Sequence, residues 1–317
     1  MSKLSYSNGD QMPALGLGTW KSAPGEVKQA IIQALQIGYR HLDCAAIYKN
    51  ETEIGEAIAE CIEQGIVKRE DLWITSKLWN NAHRKEEVEV ALKQTLADLG
   101  LDYLDLYLVH WPVAFKNEIE FAQGSDDYLS LSEVPLSETW RAMQDLQSKG
   151  LVKHIGTSNF SQKKLQALID LGGQNPEMNQ VELHPYLQQQ GLIDFCQAND
   201  IHVTAYSPLG SMDRPSVMKK EGEPIPLENP TIITIANEKN ISPAQVLIRW
   251  QLDRNISVIP KSTNPKRLKE NFDTLELKLS NAEMEEIKSI DQHKRIVDGS
   301  FFYAPDKGYT IDSLWDE

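Results

Sequence analysis

The sequence predicts an α/β fold of the (β/α)8 TIM-barrel type, with an N-terminal β-hairpin and long loops at the C-terminal face of the strands. Three observations carry this expectation. Eight short β-type runs are each followed by an amphipathic helical stretch, the alternation that builds a parallel sheet wrapped by helices. A doubly wound sheet would show a glycine-rich phosphate turn after its first strand, and Gly16-Leu17-Gly18-Thr19-Trp20 lacks the third glycine of that turn. The irregular stretches at 113–135 and 211–229 follow strand ends, where barrel loops build active sites.

The elements follow in order. KLSYSNGDQMPALGL places Asn8-Gly9 between short alternating runs, which signals a hairpin. Strands are expected at 15–18, 40–43, 72–77, 103–110, 154–158, 178–182, 202–206 and 257–260. Helices are expected at 25–37, 51–64, 85–99, 136–149, 162–171, 187–199, 242–254 and 265–272. Residues 291–317 form a tail carrying Phe301, Phe302, Tyr303 and Trp315. With no linker-like or low-complexity segment, residues 1–317 read as a single domain.

Composition narrows the function classes. The net charge of −14 opposes nucleic acid and anionic membranes as partners, so any anion site must be local. No apolar run approaches membrane-spanning length. The opening MSKLSYSNGDQMPALGLG has no apolar core of a signal peptide, so a cytoplasmic location is expected. Cys44, Cys61 and Cys196 are odd in number and lack CxxC spacing, against a disulfide framework or a zinc site. Without a signal peptide, the glycosylation patterns at Asn50, Asn159, Asn240 and Asn255 read as chance.

Four residues carry the chemistry. Asp43, Lys77 and His110 close expected strands in HLDCAAIY, ITSKLW and DLYLVHWP, and Tyr48 lies just beyond one. Strand ends point them at one barrel mouth. A lone Lys or Asp reads as a surface ion pair, but an acid, a phenol, an ammonium and an imidazole together suit carbonyl reduction. A free phenol, with a pKa of about 10, is a weak acid at neutral pH. Lys77 is expected to lower it, with Asp43 holding Lys77 and His110 orienting the carbonyl.

The chain resembles the aldo-keto reductases, a (β/α)8 superfamily of nicotinamide-dependent carbonyl reductases. GLGTW, LDCAAIYKNETEIGEA, TSKLWN, DYLDLYLVHWP, GTSNF, QVELHPYL, AYSPLGS and IPKSTNP match its motifs in order, across essentially the whole chain. CAAIY and YSPLGSMDR look most like the aldehyde reductase branch, the NADP-dependent alcohol dehydrogenases. The resemblance implies that Asp43, Tyr48, Lys77 and His110 are catalytic, with Tyr48 the proton donor to an aldehyde or ketone.

It also implies NADP(H) as cofactor. Ser158, Asn159 and Gln180 match positions that hold the carboxamide, and Tyr206 matches the ring stacked on the nicotinamide. Ser207, Leu209 and Ser211 match the pyrophosphate loop, beside Gly18, Thr19, Trp20 and Lys21 of the first strand's loop, and Asp43. Lys261, Ser262, Thr263, Asn264 and Arg267 match the 2′-phosphate clamp, and Glu270 with Asn271 the adenine pocket. Independently, barrels often bind phosphate in the loops after strands seven and eight, and the nearly vacant N-terminus of the helix at 265–272 would favour an anion. In related reductases a loop folds over the cofactor, latched by an acid at the position of Asp213; Asp213 is expected to bridge Lys21 and Lys261 when NADPH is bound.

Trp20, Trp79 and Trp111 match substrate-pocket aromatics, beside Tyr48 and His110. His184 and His202 read as structural, His41 is assigned no role, His154 at the stability face reads as non-catalytic, and Cys44 as packed in the barrel wall. The expected partner is a small carbonyl substrate, with no nucleic acid and no membrane, and the chain is expected to be a monomer without a metal. Two other classes stand against this reading. One is a cofactor-binding regulatory or structural protein on the same barrel; the other is a metal-dependent hydrolase, which needs clustered His and carboxylate ligands that the strand ends do not offer. The tail VDGSFFYAPDKGYTIDSLWDE is unlike that of mammalian aldehyde reductases and looks more like bacterial or invertebrate members.

Overall fold

The structure, a computed structural model, describes residues 2–219 and 221–317. Strands β1 (Lys3–Ser5) and β2 (Gln11–Pro13) pair antiparallel across the Asn8-Gly9 turn. Gly9 holds a φ of 94°, a conformation that L side chains rarely adopt. Leu4 and Met12, directly opposite each other, are buried in the core.

The barrel then begins. Strand β3 (Leu17–Gly18) leads to α1 (Glu26–Ile37), β4 (His41–Asp43), α2 (Glu51–Glu63), β5 (Trp73–Leu78), α3 (Lys85–Leu99) and β6 (Leu104–Val109). An excursion after β6 holds a small antiparallel ladder, β7 (Ala114–Phe115) with β8 (Tyr128–Leu129). The alternation resumes with α4 (Leu136–Ser148), β9 (Val152–Ser158), α5 (Gln162–Ile169), β10 (Met178–Glu182), α6 (Gln190–Ala198) and β11 (His202–Tyr206). Beyond a long loop come α7 (Pro230–Lys239), α8 (Pro243–Asp253), β12 (Ser257–Val258), α9 (Pro265–Asp273), α10 (Asn281–Lys288) and, in the tail, α11 (Ile311–Trp315).

Eight strands pair in parallel in the order β3, β4, β5, β6, β9, β10, β11, β12. Parallel bridges Leu15–Val258 and Gly18–Lys261 bring the last strand back to the first. A Cβ on Gly18 would stand 2.8 Å from the Ile259 carbonyl, so this seam requires glycine. The main core fills the barrel and the layer between strands and helices.

The differences from the sequence reading have local causes. Helix α6 begins at Gln190 rather than 187, because Leu187 bridges to His184 and Gln189 turns left-handed with φ 46°. Helices α7, α10 and α11 were not expected. Asn229 caps α7 by accepting from the Thr231 and Ile232 N–H groups, with Pro230 at its first position, a start signal visible in the sequence.

The tail packs as a second core at the mouth, joining Trp111, Phe115, Tyr128, Phe302, Tyr309 and Trp315. The Tyr309 hydroxyl donates to the Leu129 carbonyl at 2.7 Å and accepts from the Ala114 N–H at 3.1 Å. Among the described residues, no helix is long and apolar enough to cross a membrane.

Candidate active site

Asp43 ends β4, and Lys77 is the second-last residue of β5. His110 follows β6, and Tyr48 closes a 3-10 turn over Ala46–Tyr48. The structure brings all four to one mouth of the barrel. Lys77 Nζ donates to Asp43 Oδ2 at 2.6 Å and to the Cys44 carbonyl at 2.8 Å. The second Asp43 oxygen accepts from Gln180 Nε2 at 2.7 Å, so the carboxylate is held at both ends. Lys77 Nζ lies 5.2 Å from the Tyr48 ring, and the Tyr48 and His110 rings meet edge to face at 5.9 Å. The Thr19 hydroxyl donates to the Asp43 carbonyl, and Asn50 donates to that of Thr19, which pins the turn bearing Tyr48 to the first strand's loop.

Burial would strip the charge from Lys77, but the Asp43 carboxylate, together with Tyr48 and Cys44, outweighs it and the ammonium's pKa is raised. Burial lowers His110 well below the usual imidazole range, helped by the nearby Lys77 charge, so the ring is neutral. The expectation for Tyr48 needs correcting. Lys77 acts in the expected direction, yet burial dominates and the phenol is pushed up to about 12. In this state the hydroxyl keeps its proton.

A second set of residues extends the cavity away from Tyr48. Asn159, with φ 63°, donates to the His110 carbonyl at 3.0 Å and accepts from the Tyr206 hydroxyl at 2.7 Å. The Ser158 hydroxyl donates to the Gln180 carbonyl. The following loop curls tightly. Ser207, Gly210 and Ser211 have φ of 50°, 89° and 45°, and the two serine hydroxyls lie 2.6 Å apart. A Cβ on Gly210 would meet Pro226 at 2.6 Å. Buried Arg214 braces this loop by donating to the Gly210, Ser211 and Met218 carbonyls.

Leu209, Ser262, Thr263, Asn264, Lys261 and Arg267 line the same arm. The arm offers amide and hydroxyl donors, a tyrosine ring, a turn of small residues, then two cations, a donor set that fits a phosphorylated dinucleotide such as NADP(H). The start of α9 is less vacant than expected: Asn264 caps it by accepting from the Arg267 N–H at 3.1 Å. Lys21, Glu270 and Asn271 do not line the cavity, although they were expected at the cofactor; the Glu270 main chain faces Gln245 and Asn271 is buried.

Asp213 sits between the two expected lysines, with one difference. Its carboxylate lies 3.4 Å from Lys261 Nζ, but Lys21 donates to its backbone carbonyl. Only the Lys261 half of this bridge depends on the acid.

On the other side of Tyr48 the cavity, about 740 Å³ in all, is walled by Trp20, Trp79 and Trp111. Phe115, Phe121, Tyr128, Val297, Phe301 and Phe302 complete the wall. The Trp79 indole N–H donates to the Glu120 carbonyl at 2.7 Å, which leaves its ring faces for packing. Sequence reasoning missed the residue that holds this wall. Glu182, fully buried at the end of β10, accepts the N–H groups of Ile296 and Val297 at 2.7 Å each and contacts His184 Nε2 at 2.7 Å. The only signal was an acid at a strand end, two residues beyond Gln180 on the same face. At the far end of the tail, Lys164 donates to the Ser313 and Leu314 carbonyls and to Asp316. His41 is buried against the Pro13 carbonyl and Cys44 is buried in the wall.

Comparison with known proteins gives a family match and three likenesses. Residues 14–292 match the family described as "Aldo/keto reductase family". The chain is 51% identical over 317 residues to "Aldo/keto reductase slr0942" of Synechocystis, covering 100% of this chain and 97% of that protein. It is 48% identical over 291 residues to bovine (Bos taurus) "Aldo-keto reductase family 1 member A1", covering 91% and 89%. Its fold is similar to that in "Structure of the Aldose Reductase from Schistosoma japonicum", with a TM-score of 0.87 and 42% identity, covering 95% of this chain and 96% of that one.

Proposed function

The chain belongs to the aldo/keto reductase family, and from that premise we propose that it reduces aldehydes to alcohols with NADPH, with Tyr48 as proton donor. One observation carries the reading: a buried Asp43–Lys77 pair lies beneath Tyr48 and a neutral His110, where the aromatic wall meets the polar arm. The bound cofactor supplies the hydride.

The protein's own groups do the rest. Neutral His110 can donate an N–H to the carbonyl oxygen without competing for the transferred proton. Tyr48 keeps its proton at neutral pH and releases it only to an oxygen that is gaining charge. Lys77 then stabilises the phenolate, and Asp43, itself held by Gln180, keeps the ammonium charged and in place. The aromatic wall excludes water from the proton transfer. Ser158, Asn159, Gln180 and Tyr206 would hold the nicotinamide end, and Lys261 with Arg267 the 2′-phosphate. Asp213, through Lys261, would close the loop over the pyrophosphate. The reading is of a monomeric, single-domain cytoplasmic enzyme acting on small molecules.

The test is NADPH absorbance with benzaldehyde, with and without EDTA. Steady loss in both, dependent on aldehyde, is expected. No NADPH oxidation with any of a broad set of aldehydes contradicts the proposal.

A further inference from the structure

The two arms of the cavity differ in charge as well as shape. The substrate arm is faced by the rings of Trp20, Trp79, Trp111, Phe121, Phe301 and Phe302. Several of these meet edge to face, such as Trp111 with Phe302 at 5.1 Å and with Phe301 at 5.7 Å. Among the described lining residues, the Lys and Arg side chains are Lys261 and Arg267, and both belong to the segment after β12 at the cofactor arm. His110, at the floor, is neutral.

The cations around the tail do not line this cavity. Arg295 stacks on the Trp315 ring at 3.6 Å and pairs with Glu317 at 2.9 Å. Lys164 holds Ser313, Leu314 and Asp316. Lys307 lies 3.8 Å from Glu133, and Lys49 pairs with Glu120. A carboxylate entering this arm would lose its hydration without meeting a lining cation. An aryl group would instead join an edge-to-face set of rings.

We infer that the carbonyl compound taken by this site is an uncharged aldehyde bearing an aryl or similar apolar body, and that a carboxylate on that body is selected against. The inference rests on the reduction reading above and adds the substrate class. Residues Val297, Phe301 and Phe302 of the tail, fixed by Glu182, supply part of the wall that makes the choice.

Steady-state kinetics with NADPH should compare 4-isopropylbenzaldehyde with 4-formylbenzoate. The two substituents match in shape, and isopropyl does not activate the carbonyl, so a preference for it reflects the pocket. The wild type should favour the isopropyl compound at least tenfold in kcat/KM. Phe301→Arg and Phe121→Arg each place a cation at a partly exposed wall position. At least one should narrow that ratio fivefold or more, with NADPH affinity unchanged. A wild-type ratio below tenfold, or a ratio that neither variant narrows, overturns the inference. If other aldehydes are reduced while both of these fail, only the inference falls. If no aldehyde supports NADPH oxidation, the reduction reading falls with it.

Discussion

Asp43 and Lys77 form a 2.6 Å ion pair in which the side chains are 3% and 0% exposed. A buried pair of this kind contributes little net stability, yet breaking it leaves an uncompensated charge. Asp43→Asn should therefore cost about 3–5 kcal/mol in chemical denaturation. It also leaves burial to pull the Lys77 ammonium's pKa down without a carboxylate to oppose it. Turnover should fall at least tenfold, but less than in Tyr48→Phe, because the proton donor remains. A variant that keeps wild-type kcat would detach the pair from the chemistry.

Arg267 and Lys261 bear on cofactor choice. The 2′-phosphate is present on NADPH and absent from NADH, so a charge-assisted contact there discriminates between them. Arg267→Ala should weaken NADPH at least tenfold, about 1.4 kcal/mol, and NADH less than twofold, by fluorescence titration. Equal losses for both would remove Arg267 from the phosphate site.

Glu182 offers a separable test of the tail. In Glu182→Gln, one carbonyl oxygen must serve the N–H groups that two carboxylate oxygens now take, and the amide NH2 faces the other donor. A buried N–H left unpaired costs about 1–3 kcal/mol. The Ile296 and Val297 amides should exchange hydrogen faster, and KM for an aromatic aldehyde should rise several-fold. NADPH affinity should stay within about twofold. Unchanged exchange at both amides would mean that Glu182 does not hold the tail.

At the opposite end of the barrel, His154 lies between Glu177 at 2.8 Å and Asp10 of the hairpin at 2.9 Å, against the Tyr6 ring. Burial alone would lower its pKa, but the hydrogen bonds and charges of the two carboxylates outweigh burial and raise it. A raised folded-state pKa contributes stability that is fully present below the unfolded value of about 6.5. That contribution is lost as pH rises through the folded pKa. The Tm difference between wild type and His154→Asn should be largest near pH 6 and should shrink toward pH 9. A difference that grows with pH would show that His154 is neutral in the fold.

Much of this was legible because a barrel puts strand ends at one mouth, so Asp43, Lys77 and His110 could be placed together from the alternation alone. What stayed hidden depends on partners far along the chain or on the main chain. Glu182 meets N–H groups 114 and 115 residues away, which no local pattern announces. The Lys21 contact is to a backbone carbonyl, about which the identity of Asp213 says nothing. Burial, the cause of the high Tyr48 pKa, is a property of the assembled mouth and not of the motif around the residue. Helix α7 is the exception, since Asn229-Pro230 is a local start signal.

The central claim is that Tyr48 delivers the proton, and Tyr48→Phe tests it most directly. The change removes one hydroxyl and keeps the ring that packs near Lys77 and His110. Aldehyde-dependent NADPH oxidation should fall by a factor of about 10² to 10⁴, while NADPH affinity stays within about twofold. Turnover within a few-fold of wild type would contradict the account.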